Sequence, residues 1–262
     1  MDRSNPDEEE EGHCLRLMAI LRSFLLSQGH SPKSTDDLHS NTVNLLLVIP
    51  PKLYQELVQP MPKDHIAEYD GKDMSAVVRL LEFLHRRLKN NEVLSPILTP
   101  ILTLMVEMTQ SVRVIRKFVR LKVLPPLRDV MRRPEEGEGV RNKLCLLMTS
   151  PLPDLKYLSA NLLFILCKES VDRLIKYTGY GNAAGLLASR GLMLNRKRGS
   201  EESYSSESED SDTEEYEKIK DKVNPVTGRY EPPRPSPLEG MTEEQKEYEA
   251  MKLVNALDKL SR

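Results

Sequence analysis

From residue 13 to about residue 190, apolar side chains return every three or four positions and leucine dominates them. The two-residue alternation of β-branched residues that marks strands is missing. Such a pattern buries one stripe per helix, so it predicts an all-α fold. Helices are expected at 14–27, 38–49, 51–58, 74–90, 96–110, 112–122, 127–132, 140–149, 154–168 and 171–177, with a short one near 182–189. The connections carry residues that stop helices: Pro50-Pro51, Pro60 to Pro62, Pro125-Pro126, Pro134 and Pro151 to Pro153. Helices of three to four turns, each striped and followed by a short proline-marked connection, suit an armadillo/HEAT-like helical solenoid of about four repeats of roughly 40 to 47 residues. No consensus period is readable, so an ordinary helical bundle is the alternative.

Composition separates this region from what flanks it. Of the 262 residues 30% are charged and 39% hydrophobic, the average expected of a compact part joined to a solvated one. Residues 1–12 are acidic and lack an apolar stretch, which reads as a flexible leader rather than a targeting signal. Residues 191–240 form an acidic and proline-rich linker whose span 200–217 contains acids and no Lys or Arg. A segment of this kind buries too little apolar surface to offset its chain entropy and is expected to be disordered. Residues 241–262 become helical again. Thr242 and Gln245 stand at capping-box spacing, Glu243 and Glu244 fall in the first turn, and Ala250, Leu253, Val254, Leu257 and Leu260 share a stripe. An amphipathic helix of this length is marginal alone and needs a surface to lie on.

Cys14, Cys145 and Cys167 are far apart, with neither Cys-x-x-Cys spacing nor a neighbouring His, so no metal, cofactor or disulfide framework is suggested and a reducing cytoplasm fits. No apolar run approaches the roughly 18 residues of a membrane span. No Ser-His-Asp set or general-base pair can be assembled, so an enzyme in the ordinary sense is not expected. Gly179, Gly181 and Gly185 match neither the Rossmann nor the P-loop spacing. They are read as a tight turn where backbones approach closely.

The sharpest feature is Arg113, Arg116, Lys117 and Arg120, whose spacing gathers four cations on one helix face while Val112, Ile115 and Val119 form a separate apolar stripe. Like charges at such spacings repel. The pattern suits either a solvated face paired with acids of the next repeat or a docking ridge for an acidic or carboxylate-bearing partner, which arginine's forked donors match. Nucleic acid is disfavoured by the net charge of −2 and by the acidic tail in the same chain. Ser206 and Ser211 each precede an acid by three positions, the setting used by an acidophilic kinase of the casein kinase two type. Phosphate there would add charge able to order the tail on a basic surface.

Several stretches resemble the synembryn family: Val123-Leu-Pro-Pro-Leu-Arg-Asp129, Arg141-Asn-Lys143, Ile175-Lys-Tyr-Thr-Gly-Tyr-Gly-Asn-Ala-Ala-Gly-Leu-Leu-Ala188, Asn224-Pro-Val-Thr-Gly-Arg229, and Met241-Thr-Glu-Glu-Gln-Lys-Glu-Tyr-Glu-Ala-Met-Lys-Leu-Val254 continuing through Asp258-Lys-Leu-Ser-Arg262. The resemblance covers the chain from near its N-terminus to Arg262 and corresponds to the family's carboxy-terminal half.

It implies a chaperone and guanine nucleotide exchange factor for heterotrimeric G-protein α subunits. An armadillo-like concave surface takes the carboxy-terminal helix of Gα, and the segment beyond the repeats wraps onto the nucleotide domain. Arg113, Arg116, Lys117 and Arg120, with Tyr248, Met251, Leu253, Val254 and Leu257 of the last helix, are then the expected Gα contacts, and Ser206 and Ser211 match activating phosphorylation sites. A cytoplasmic monomer is implied, with a fraction at the cell cortex or plasma membrane through Gα. Family members are about twice as long. Repeats missing from the front would leave an apolar face uncapped and lower the stability, and Ala256 stands where a larger apolar residue is expected.

Overall fold

The computed structural model describes residues 8–60, 67–89, 95–128, 130–193, 213–232 and 241–260, the side chains of residues 8, 95 and 255–260 excepted. The chain divides into two units, residues 1–230 and residues 231–262.

Helix α1 runs Glu8–Leu26, so the last acids of the expected leader are already helical. Ser31 caps α2, Pro32–Leu46, by accepting the Ser34 amide at 3.1 Å, and Pro32 sits in the first turn where its missing N–H costs nothing. The expected helix at 51–58 is instead a tight 3₁₀ turn, Pro51–Leu57. Three two-residue strands follow, β1 Gln59–Pro60, β2 Glu68–Tyr69 and β3 Lys72–Asp73, paired antiparallel in the order β1-β3-β2. Asp73 is buried, accepts the Ser75 amide at 2.9 Å at the head of α3, and pairs with Arg22 of α1.

Helices α3 Ser75–Lys89, α4 Ser95–Ser111, α5 Arg113–Val123, α6 Val140–Leu147, α7 Pro153–Leu166, α8 Val171–Thr178 and α9 Tyr180–Ser189 complete the array. Ser170 caps α8 through the Arg173 amide. The most extensive packing joins α4 to α7, and both helices carry side chains with almost no exposure, Leu98, Ile101, Leu102, Leu104, Met105 and Met108 on α4 and Leu155, Leu162, Leu163, Ile165 and Leu166 on α7. Helices close in sequence pack pairwise, α1 on α2, α3 on α4, α8 on α9, and helices three apart pack between layers, α3 on α6 and α4 on α7. This is the contact pattern of an all-α helical solenoid. Leu15, Ile20 and Phe24 of α1 and Leu45 of α2 remain exposed.

The expected helix at 127–132 is absent: residues 127, 128 and 130–132 follow Pro125-Pro126 as irregular chain. Leu127 and Val130 are buried, and their carbonyls are used by a segment far along the sequence. Thr213 Oγ1 donates to Leu127 O at 2.5 Å and Tyr230 N donates to Val130 O at 2.7 Å.

Residues 213–230, placed by the sequence in the disordered linker, are therefore folded back onto the helical array. They form α10, Glu214–Glu217, capped by Thr213, then a 3₁₀ turn at Lys220–Lys222 and the antiparallel pair β4 Val223–Asn224 and β5 Arg229–Tyr230. The phosphorylation candidates Ser206 and Ser211 lie outside the described residues.

The second unit contains α11, Glu243–Leu260. Its capping box is formed in both directions, Thr242 N donating to Gln245 Oε1 at 3.1 Å and Gln245 N to Thr242 Oγ1 at 3.4 Å.

Candidate functional site: a cationic face on α5 and α8

Helix α5 starts one residue after α4 ends, because Val112 takes an extended backbone conformation that breaks the helix. The apolar stripe is where the sequence puts it: Val112, Ile115 and Val119 are buried, joined by Phe118. Of the four cations, Arg113 is exposed and Arg116 and Lys117 are half-buried. Arg116 folds back toward α4 and donates to the carbonyls of Thr109 at 3.2 Å and Gln110 at 3.5 Å, where the helix end concentrates unpaired acceptors and negative potential. Such a contact fixes the guanidinium stem and holds its charge at the junction of two helices.

Arg120 departs from the expected ridge. It is 7% exposed and turned toward α8, where its guanidinium hydrogen bonds the hydroxyl of Tyr177. Burial pushes the Tyr177 phenol above its ordinary range, and the Arg120 charge works against that shift. Around this pair α8 contributes two cations that the sequence reading passed over, Arg173 and Lys176. Burial lowers the Arg173 pKa and Arg120 reinforces the effect; burial also lowers that of Lys176, with Glu217 opposing. Each depression shows positive charge held in a poorly hydrated place close to other positive charge. The signal was available, since Arg173 and Lys176 stand three apart on a short helix, but nothing local tells which helix α8 faces.

Lys176 is also the link to the folded-back tail. Its ammonium lies 4.6 Å from the centre of the Tyr216 ring and 5.8 Å from that of Tyr177, so two aromatic faces hold the cation. Tyr216, on α10, is buried by this contact, and Glu217 next to it pairs with Lys220 at 2.7 Å. The cationic face thus has an outer part on α5, Arg113 to Lys117, and an inner part, Arg120 with Arg173 and Lys176, partly covered by α10.

In the second unit Tyr248, Met251, Leu253 and Val254 of α11 are 69%, 68%, 64% and 58% exposed. A helix with such side chains in water has an apolar surface still to bury. Leu257 lies on the same helix, but its side chain is outside those described.

The glycine turn is where the expected close approach occurs. Gly179, at φ 74°, separates α8 from α9, and a Cβ there would sit 3.1 Å from the Val226 carbonyl oxygen and from the Gly228 nitrogen. Asn142 holds the preceding loop by donating to the carbonyls of Pro134 and Glu136 at 2.8 and 2.9 Å. Among the described residues no cluster of three or more His, Cys, Asp or Glu is placed to hold a metal ion.

The class of protein to which this helical array and its cationic face belong is given by comparison of the sequence. Over residues 1–262 the chain matches the family described as guanine nucleotide exchange factor synembryn, and it belongs to that family. It is 52% identical over its whole length to the chaperone Ric-8A of Xenopus laevis, of which it covers 48%. It is 54% identical over 256 residues to the chaperone Ric-8A of Gallus gallus, covering 47%, and 52% identical over 261 residues to that of Danio rerio, covering 47%. The chain spans about half the length of these relatives and corresponds to their carboxy-terminal half.

Proposed function

We propose that this chain binds heterotrimeric G-protein α subunits, acting as a chaperone for nascent or GDP-bound Gα and promoting release of GDP. The observation that carries this reading is the match to the exchange-factor family along all 262 residues, which takes in both the cationic solenoid and α11. In this reading the outer cations Arg113, Arg116 and Lys117 receive the carboxy-terminal segment of Gα, Arg120 lying behind them. Tyr248, Met251, Leu253, Val254 and Leu257 of α11 lie on the body of the same subunit.

No nucleotide touches this chain. Exchange follows from tighter binding to an open, nucleotide-free Gα than to the closed one, and the acceleration is limited by that difference in affinity. A solenoid that draws out the last helix of Gα loosens the nucleotide site from a distance. It holds the emptied subunit until GTP restores the closed form.

Phosphorylation of Ser206 and Ser211 by an acidophilic kinase adds charge to the stretch joining α9 to α10, close in sequence to the segment lying against Lys176. No helix among the described residues is long and apolar enough to cross a membrane. The chain works in the cytoplasm as a monomer and meets the membrane through Gα. The alternatives are binding of Gα without exchange and a general armadillo-type scaffold role.

Pull-down of nucleotide-free Gα by the wild type and by a variant carrying Arg113→Glu and Lys117→Glu tests the first reading. Those two leave the Arg116 contact to α4 in place. Loss of binding in the variant is expected. Equal capture by both removes the ridge from the mechanism, and no capture by either removes the function. GDP release measured beside a full-length relative separates exchange from binding alone.

A further inference from the structure

We infer that the cleft between the α1–α2 turn and α3 is a binding site for a small phosphomonoester, built from residues other than those of the cationic face on α5 and α8. The inference stands whether or not the chain binds Gα. The cleft has a volume of about 480 Å³ and takes its walls from the turn at 27–31, the first turns of α2, and Arg79, Glu82 and Arg86 of α3, with His39 of α2 also lining it. A volume of this order holds a small organic molecule as well as an ion.

His39 is the side chain that points to a ligand. It is 3% exposed, and Arg86 Nη2 lies 3.3 Å from its Nδ1. A guanidinium can only donate, so Nδ1 accepts and the neutral ring carries its proton on Nε2. Burial lowers the pKa of the ring and keeps it neutral; the Leu25 backbone works against this without meeting hydrogen-bond geometry, and Nε2 has no partner among the described residues. A buried N–H without an acceptor is costly in a folded protein. In the wall of a cleft, an acceptor brought in from outside removes that cost.

The donors around His39 define that acceptor. In the first turn of α2 Ser31 Oγ accepts the Ser34 amide at 3.1 Å, Ser31 O accepts that of Thr35 at 2.9 Å, and Pro32 has no N–H, so the Lys33 amide remains to be used. The helix dipole adds positive potential at the same point. Lys33, Arg79 and Arg86 line the cleft with two acids, Asp36 and Glu82. Arg86 Nε donates to Asp36 Oδ1 at 3.0 Å and Arg79 Nη1 to Glu82 Oε2 at 2.9 Å, whereas the Lys33 ammonium has no acidic partner among the described residues. The charge left over is positive. Donors reach the cleft from α2, from α3 and from His39, and a phosphate with three acceptor oxygens suits separate directions better than a planar carboxylate with two. The second oxygens of Asp36 and Glu82 then accept hydroxyls of the organic part.

The test is nuclear magnetic resonance of the full chain carrying isotope-labelled histidine, at constant pH and ionic strength, titrated separately with inorganic phosphate, glycerol phosphate, acetate and glycerol. The His39 ring nitrogens are the readout. The expected result is a free protein protonated at His39 Nε2, a saturable shift of that nitrogen with phosphate, and tighter saturation with glycerol phosphate. Acetate and glycerol leave the signal where it is. Lys33→Glu, at an exposed position, weakens phosphate about tenfold by removing one charge-assisted contact.

A His39 proton found on Nδ1 overturns the site, as does a signal that stays fixed or drifts without saturating as phosphate is added. Phosphate bound as tightly by Lys33→Glu as by the wild type overturns it too. An equal response to acetate overturns the assignment to phosphate, and glycerol phosphate held no more tightly than the inorganic ion overturns the assignment to an ester. If Lys33→Glu loses its helical signal, Lys33→Gln decides by the same criteria.

Discussion

The guanidinium of Arg120 hydrogen bonds the phenol of Tyr177, joining α5 to α8 through a buried charged group where the sequence pattern alone places an exposed one. That contact divides the cations of α5 into a structural member and outer members, and the division can be measured. Arg120→Ala leaves a buried hydroxyl without its donor and removes packed methylenes, at a cost of about 2–3 kcal/mol. Arg113→Ala, at an exposed position, is expected to change stability by no more than about 0.5 kcal/mol. Urea denaturation followed by circular dichroism checks both; similar midpoints for the two variants would put Arg120 back on the surface.

The imidazole of His39 is buried, its edge set against the Phe83 ring with centroids 5.7 Å apart, and Arg86 Nη2 lies 3.3 Å from its Nδ1. Burial first, then the Arg86 charge, lowers its pKa below 6.5, with Asp36 and the Leu25 backbone opposing. The unfolded chain takes up the proton more readily than the folded one, so the stability tied to His39 is complete above about pH 6.5 and is lost as the pH falls below it. His39→Gln is expected to narrow the gap between unfolding midpoints measured at about pH 7.5 and about pH 5.5. A gap of unchanged width assigns the acid sensitivity to other groups.

Burial holds the Cys145 and Cys167 thiols protonated, with pKa values pushed up to about 12, whereas Cys14 is half-buried on α1. Thiolate is the reactive form, so a thiol reagent at pH 8 is expected to modify Cys14 promptly and the other two only as fast as the chain opens. The raised values also mean that stability declines as the pH climbs from about 9 toward 12, since the unfolded thiols ionise first. Peptide mapping of partly labelled protein checks the order, and early modification of Cys167 would contradict the packing of α7.

Much of the helical array could be read from the chain because each stripe is a local signal. The helices expected at 74–90 and 96–110 differ from α3 and α4 by one residue at each end, and that expected at 171–177 differs from α8 by one residue at its C-terminal end. The capping box of α11 was likewise readable from Thr242 and Gln245.

The errors occur where distant segments decide the outcome. Residues 127–132 have enough leucine and valine for a short helix, but their carbonyls are committed to Thr213 and Tyr230, 86 or more positions away. Composition made 213–230 a solvated linker, although Tyr216 finds a lysine on α8 and Tyr230 packs against the core. The same limit applies to the candidate site. Spacing places Arg120 on a face with Arg113, but only the position of α8 turns it inward and brings Arg173 and Lys176 beside it.

Thr213 pinned to Leu127, and α9 packed on α7, fix both ends of the serine-rich stretch to one body. Met193, held by the Tyr180 hydroxyl, and Thr213 are therefore two moorings on one body, and a cut between them frees neither. A single cut between Met193 and Thr213 accordingly yields two pieces that travel together on a sizing column, still joined by the Tyr216 ring, the Tyr180 and Gly181 amides, and the Val130 carbonyl.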